Sequence, residues 1–272
     1  MRKLAIVITA LAGVFFSSAA QADDIISRFT IRDQGQFALD GSLSGGRSTS
    51  SNTSVYAPGT SIEERSYTSQ AFFNGNVGLG YGFELFAGLP YVLRNRTDVH
   101  YSYGEERESS SFNGEKGFND ATFGLKYRVF KSADGSNEVL LRFSLLRHSG
   151  FSGFVDSEVS YLHTFTPAIK TVLSASFMRR QGGPNNTGYG AYLIWQASRQ
   201  IAVVPFIRGN RYDEYMGAPS FSSAGGGVEL RYTPIKSWNI TPGLSGTHIN
   251  APNGYSGSWN GISGSLTVQK EF

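Results

Sequence analysis

The 272-residue chain contains no cysteine. That absence excludes a disulfide scaffold, a Cys-ligated zinc site, a thiol nucleophile and an N-terminal lipoprotein anchor. Histidine is scarce, and His100, His163 and His248 are scattered without the spacing of zinc ligands. An excess of one charge is lacking too. The formal net charge of +3 falls to +1, 22 basic against 21 acidic residues, once Arg2 and Lys3 are set aside with a targeting segment. That balance carries no footprint for nucleic acid. Long apolar runs are also missing beyond the N-terminus. Val139 to Leu146 and Ile201 to Ile207 are strand-sized, well short of the ~20 residues of a spanning helix.

What is present begins with an address. Arg2 and Lys3 precede the apolar run Leu4 to Phe16, and small residues ending in Ala20-Gln21-Ala22 follow, the order of parts in a secretory signal peptide. Residues 1–22 are expected to be cleaved before Asp23, leaving 23–272 as one exported domain; the alternative is a retained inner-membrane anchor. An exported chain without a second long helix is periplasmic, secreted or inserted in the outer membrane.

Side-chain character alternates with a period of two almost throughout, which places two sets of residues on opposite faces of strands. In 83–96, Phe83, Leu85, Ala87, Leu89, Tyr91 and Leu93 oppose Glu84, Gly88, Arg94 and Arg96. Ala121, Phe123, Leu125, Tyr127 and Val129 oppose Thr122, Gly124, Lys126 and Arg128. Val139, Leu141, Phe143 and Leu145 oppose Arg142 and Ser144. The pattern predicts strands near 34–46, 67–79, 83–97, 119–131, 137–148, 153–164, 168–180, 188–197, 200–210, 221–232, 237–248 and 258–272. The first and the Gly-rich tenth carry the weakest alternation.

Short and long connections take turns. Tight ones fall at Gly80-Tyr81-Gly82, 133–136, Pro167, Ser198-Arg199 and 234–236. Polar and mostly longer ones fall at 47–66, 98–118, 149–152, 181–187, 211–220 and 249–257. Transmembrane β-barrels pair short periplasmic turns with longer extracellular loops. The fold class expected is therefore all-β: an antiparallel transmembrane barrel of twelve strands, both termini periplasmic, located in the outer membrane. A soluble β-sandwich or closed barrel would also alternate. The placement of aromatics favours the membrane: Tyr81, Phe83, Tyr127, Phe165, Trp195, Tyr232 and Trp238 near short turns, and Tyr91, Tyr101, Phe154, Tyr189, Phe221 and Trp259 toward the long connections, suit two interfacial belts.

The final strand carries Ile262, Leu266, Val268 and Phe272 on one face. A terminal Phe closing an alternating strand resembles the signal by which outer-membrane barrels engage their assembly machinery. Lys270 departs from that pattern, although a Lys near an interface can snorkel. The expected partners are thus outer-membrane lipid and lipopolysaccharide around the apolar face, and the barrel-assembly machinery through Leu266, Val268 and Phe272.

The stretches ELFAGLPYVLRNR, GFNDATFGLKYRVFK and EVLLRFSLL, clearest over about residues 70–146, resemble the outer-membrane barrel family named after the MetA pathway of phenol degradation. Where that family has Gly-Asp, this chain has Asn119-Asp120. The resemblance implies a barrel that moves small hydrophobic or aromatic compounds.

An apolar outside leaves the other face to line a lumen. Candidate lining or constriction residues are Arg94, Arg96, Lys126, Arg128, Arg142, Glu158, Arg208, Glu229 and Arg231, and Glu84, Asp156 and Arg180 line the same face. Lys126, Arg128 and Arg142 form a basic wall with Glu158 beside it. Such a wall either biases a water-filled pore toward anions or forms an internal ion-pair network in a barrel that conducts poorly. Twelve strands tilted about 40° enclose a backbone diameter of roughly 24 Å, a narrow bore after side chains are added. The segment Asp23 to Asp33, of mixed character, has the reach to sit in the periplasmic mouth.

Catalysis is not expected. Arg147-His148-Ser149-Gly150 lacks the His-x-Ser-Asn-Gly pattern that a lipid hydrolase of the outer membrane would carry. Gly78, Gly80 and Gly82 have no helix behind them to cradle a phosphate. No cofactor or metal is called for. The function expected is a passive channel for small solutes, aromatic or anionic, of unassigned identity. The alternative is a non-transporting surface barrel acting through loops 47–66 and 98–118.

Overall fold

The computed structural model describes residues 25–53, 60–103, 105–118, 121–146, 154–180, 184–214, 220–250 and 256–272. The leader 1–22 and its cleavage site lie outside the described residues, as do the 149–152 connection and the His148 region.

A single helical turn, α1 (Ile25–Arg28), precedes the strands. These are β1 (Phe37–Thr53), β2 (Thr60–Gly80), β3 (Phe83–Tyr103), β4 (Glu106–Asn113), β5 (Gly117–Phe118), β6 (Thr122–Lys131) and β7 (Asn137–Leu146). They continue as β8 (Phe154–Thr166), β9 (Ile169–Arg180), β10 (Asn186–Gln196), β11 (Ile201–Tyr212), β12 (Phe221–Ile235), β13 (Trp238–Asn250) and β14 (Ser256–Glu271). Apart from β4, β5 and β6, which each pair with β3, every strand pairs antiparallel with its neighbour in sequence, and β1 closes the sheet on β14 with Ala38 opposite Glu271 and Leu43 opposite Leu266. The segments β4, β5 and β6 lie successively along β3 and together make one stave. The result is a closed antiparallel barrel of twelve staves.

Pairing of β1 with β14 closes the wall, leaving β4 paired on one side only among the described residues, and the alternation then decides what each face meets. Large apolar side chains stand outward all round the wall, among them Leu39, Leu43, Phe73, Leu85, Phe123, Leu145, Leu173, Ile207, Leu244 and Leu266, each more than a third exposed. An apolar surface that encircles the molecule is compatible with hydrocarbon and not with water. The chain is accordingly an outer-membrane barrel. Its inward face carries Asp40, Ser42, Asn76, Glu84, Lys126, Arg142 and Gln269, all buried.

The short turns require unusual backbone. Gly80, Tyr81 and Gly82 hold φ values of +88°, +52° and +82°, and Ser237 holds +73° in the β12–β13 turn. Glycine adopts that region at no steric cost.

Two expectations change. Strands on one side run past the ends read from the sequence: β1 reaches Thr53, β2 begins at Thr60 and β3 ends at Tyr103, while β4 lies inside the expected 98–118 loop. The Ser-, Thr- and Glu-rich composition there reads as loop, but β1, β2, β3 and β4 satisfy one another's backbone groups in continuous ladders. The second aromatic belt is also incomplete. Tyr189 stands outward, 62% exposed, but Phe221 is buried inside the barrel against Tyr212 and Ile249, with Trp259 packed on them. The Phe154 side chain is not among those described.

Candidate functional site

The lumen at the short-turn end is filled by the chain's own N-terminal segment. From Ile25 to Arg32 the chain lies within the barrel, and after the exposed 33–36 turn it rejoins the wall, where Gly35 N–H donates to the Gly78 carbonyl and Gly78 N–H to the Gln36 carbonyl, at 3.0 and 2.9 Å. Gly78 is there because nothing larger fits: a Cβ on it would lie 2.1 Å from the Asp33 carbonyl oxygen and 2.5 Å from that of Arg32.

Two kinds of contact hold this segment. The first is apolar. Ile25, Phe29 and Ile31 are buried with Leu140, Leu162, Val172, Tyr192, Val204 and Phe206, which are inward-facing residues of β7 to β11. Phe29 meets Tyr192 edge-on, with ring centroids 4.9 Å apart. Full burial of such side chains is worth about 1.5–3 kcal/mol each, as an upper bound.

The second is ionic. Glu84 on β3, fully buried, accepts the Arg32 backbone N–H at 2.8 Å, its guanidinium at 3.0 Å and the Lys126 ammonium at 2.9 Å. Lys126 also donates to the Ser27 carbonyl at 2.8 Å. Arg28 pairs with Glu158 on β8 at 2.9 Å. The Ile25 backbone N–H donates to Glu229 on β12 at 3.0 Å, and Gln269 on β14 donates to the Ser27 hydroxyl at 2.9 Å. The segment therefore grips the wall on β2, β3, β6, β8, β10, β12 and β14.

Above α1 remains a cavity of about 190 Å³. Ile25 and Arg28 form part of its lining, Ser, Thr and Gly residues of β1, β13 and β14 form one wall, and Tyr192, Phe206, Arg208, Tyr212 and Trp259 form another. The Arg208 guanidinium lies 4.8 Å from the Phe206 ring and forms no salt bridge with a described residue. Glu64, buried, lines the cavity from β2 and accepts a hydrogen bond from the Ser66 hydroxyl.

The sequence-expected lumen residues separate into groups. Glu84, Lys126, Arg142 and Glu158 stand side by side across β3, β6, β7 and β8. Their wall is occupied: Lys126 is 1% exposed. Arg142 lies 3.9 Å from Asp156 and 4.5 Å from the Phe86 ring, while Glu158 is engaged by Arg28. Arg128 pairs with Glu138 near the β6–β7 turn. Arg231 donates to Gln269 at 3.1 Å and lies 3.5 Å from Glu271. Arg208 and Glu229 line the cavity.

Arg94 and Arg96 are not in the lumen. Opposite β2, Val92 aligns with Gln70 and Arg94 with Ser69, so Leu93 is an extra residue, a β-bulge. One inserted residue reverses the facing of everything beyond it. Arg96 therefore sits opposite Tyr67 on the outer face and pairs with Asp98 at 2.9 Å. In β14, Leu266 and Val268 face outward, and terminal Phe272 stacks on Phe37 with centroids 4.6 Å apart.

Arg28 and Arg32 are lumen residues that the alternation does not single out. A signal for their seat exists: Val139-Leu140-Leu141 and Val203-Val204 are apolar on both faces, which a water-filled lumen does not require.

Similarity to solved structures is one of fold. The chain resembles the COG4313 outer membrane channel from Pseudomonas putida F1, with a TM-score of 0.60 and 11% identity over 89% of this chain and 97% of that one. It also resembles the translocator domain of the autotransporter NalP from Neisseria meningitidis, with a TM-score of 0.56 and 10% identity over 97% of both chains. The transport unit of the autotransporter AIDA-I from Escherichia coli gives a TM-score of 0.54 and 11% identity over 90% and 94%. By sequence, no protein family matches the chain and no curated protein is similar to it.

Proposed function

We propose that the protein is a passive outer-membrane channel for small solutes, aromatic or anionic, whose bore is held shut at its short-turn end by residues 25–36. The carrying observation is the cavity above α1: hydroxyl-rich on one side, aromatic on the other, with the Arg208 guanidinium in the lining and in no salt bridge with a described carboxylate. Aromatic rings offer apolar contact to a ring or chain, and a guanidinium orients a carboxylate or phenolate. The N-terminal segment reads as a plug because its ionic ties are each made to a residue of the wall, so it can leave without unfolding a strand. In this reading the short turns and both termini face the periplasm and the long connections face the cell exterior.

Planar-bilayer recording of the full mature chain, beside Arg28→Ala, tests the reading. Rare conductance steps in the first and frequent ones in the second are expected. Steps in neither would favour a surface barrel acting through its projecting β3–β4 hairpin. Charge reversal at Arg208 should shift the reversal potential toward cation preference; an unchanged potential removes the anionic solute from the proposal.

A further inference from the structure

The β3 bulge moves Arg94 and Arg96 onto the outer wall, beside cations that β1 and β2 already present there. Arg47 on β1 stands opposite Tyr67 on β2, and Tyr67 stands opposite Arg96 on β3. Arg65 shares that outer face, as does Arg94, opposite Ser69. Two carboxylates lie among them, and both are engaged: Glu63 by Arg65 at 2.7 Å, and Asp98 by Arg96 at 2.9 Å. Arg47 and Arg94 have no carboxylate partner among the described residues. Their guanidinium carbons lie 5.7 and 5.6 Å from the centroid of the same ring, Tyr67.

The height of this cluster matters as much as its charge. Along β3 the outward apolar positions run from Phe83 through Leu85, Leu89 and Tyr91 to Leu93. With a strand rise of about 3.3 Å and a tilt of about 40°, that stretch spans roughly the 25 Å of a barrel's apolar band. Arg94 is the next residue. On β1 the outward series Phe37, Leu39 and Leu43 likewise gives way to Arg47. The arginines therefore stand at headgroup level at the long-connection rim, where acyl chains end and phosphates begin.

We propose that Arg47 and Arg94, positioned by Tyr67, bind a phosphate of an outer-leaflet glycolipid, a phosphorylated diglucosamine carrying acyl chains. Guanidinium matches phosphate oxygens in a forked, charge-assisted geometry. The adjacent apolar band accommodates the acyl chains, and Tyr67 is the amphipathic residue type favoured at an interface. The site is independent of solute passage but rests on the long connections facing outward.

The test uses the full mature chain in nanodiscs, stripped in detergent and examined by native mass spectrometry for retained lipid. The probes are bisphosphorylated lipid A, the same lipid without phosphates, and phosphatidylglycerol. Wild type should retain the bisphosphorylated lipid, and Arg47→Gln/Arg94→Gln should retain at least about fivefold less. Arg179→Gln/Arg211→Gln removes two other arginines from exposed positions and should retain as much as wild type. Heat-shifted gel migration establishes that each variant is folded. Equal retention by the first variant, equal loss in the second, or equal retention of dephosphorylated lipid A each overturns the site. Preference for phosphatidylglycerol overturns the glycolipid assignment. Protease cleavage within 98–118 on intact cells checks the orientation separately; protection there overturns the outer-leaflet source without touching the phosphate result.

Discussion

Arg28 and Glu158 lie 130 residues apart in sequence and meet inside the barrel, the Arg28 Nε at 3.0 Å and a terminal guanidinium nitrogen at 2.9 Å from one carboxylate oxygen. The glutamate belongs to the wall and the arginine to the segment that fills it. Their contact joins a fixed stave to a part of the chain that forms no strand between Ile25 and Asp33.

Arg28→Ala leaves Glu158 buried without its cation, an arrangement costing about 3–5 kcal/mol in proteins generally. The barrel does not depend on that pair, so the cost falls on seating of the plug. Open-channel time in bilayers should rise at least about fivefold, and the reversed pair Arg28→Glu/Glu158→Arg should bring it back toward wild type. Unchanged open time in Arg28→Ala would show that the apolar contacts alone hold the segment.

Phe272 and Phe37 stack at the barrel's closing seam, where Phe272 N–H donates to the Phe37 carbonyl at 2.8 Å. Phe272→Ala removes the ring pair, worth about 0.5–1.5 kcal/mol beyond area, and the terminal aromatic through which we propose the assembly machinery recognises β14. The fraction of protein showing heat-modifiable migration in outer membranes should fall, and refolding in detergent should fall less. Equal losses in both would assign Phe272 to stability alone.

Asp134, in the turn between β6 and β7, accepts hydrogen bonds from the Ser132 hydroxyl and from the backbone N–H and hydroxyl of Ser136. These hold its carboxyl down at about 2, against an ordinary 3.8. A folded value below the unfolded one stabilises the turn above about pH 4, and that contribution disappears as pH falls toward 2. Carboxyl NMR of the detergent-solubilised protein should place the Asp134 midpoint near 2. A midpoint at the ordinary value would mean that the serines do not hold the carboxylate.

The twelve staves were legible because alternation records which face each residue meets, and Lys126, Arg142, Glu158, Arg208 and Glu229 sit on the inward face for that reason. Arg94 and Arg96 were misread because a bulge leaves no mark in composition: Leu93 is as apolar as its neighbours, and only the ladder with β2 shows it to be extra. The seat of the N-terminal segment in the lumen was hidden differently. Ile25 to Asp33 has neither a period of two nor a helix of useful length, since its shape is set by the wall it touches. Leu140, Val172 and Val204, apolar residues on a face expected to be wet, were the trace it left in the barrel sequence. Strand ends beyond Arg47 and before Tyr67 were missed because serine and threonine serve loops and ladders alike.

Gly78 faces inward from β2, where the plug backbone runs against the wall. Adding a single methyl group would place it 2.1 Å from the Asp33 carbonyl oxygen, a backbone atom that cannot rotate away as a side chain would. The 33–36 turn must then shift, breaking the paired hydrogen bonds between Gly35 or Gln36 and Gly78. Each contributes about 0.5–1.5 kcal/mol, while β2 keeps its pairing with β1 and β3, because alanine is tolerated in a strand. Gly78→Ala should therefore leave folded yield and heat-shifted migration near wild type and raise bilayer conductance. It should also admit a thiol reagent to a cysteine introduced at Ser27, a residue buried in the parent chain. Wild-type protection of that cysteine in the Gly78→Ala background would mean that the turn yields locally and the plug stays seated.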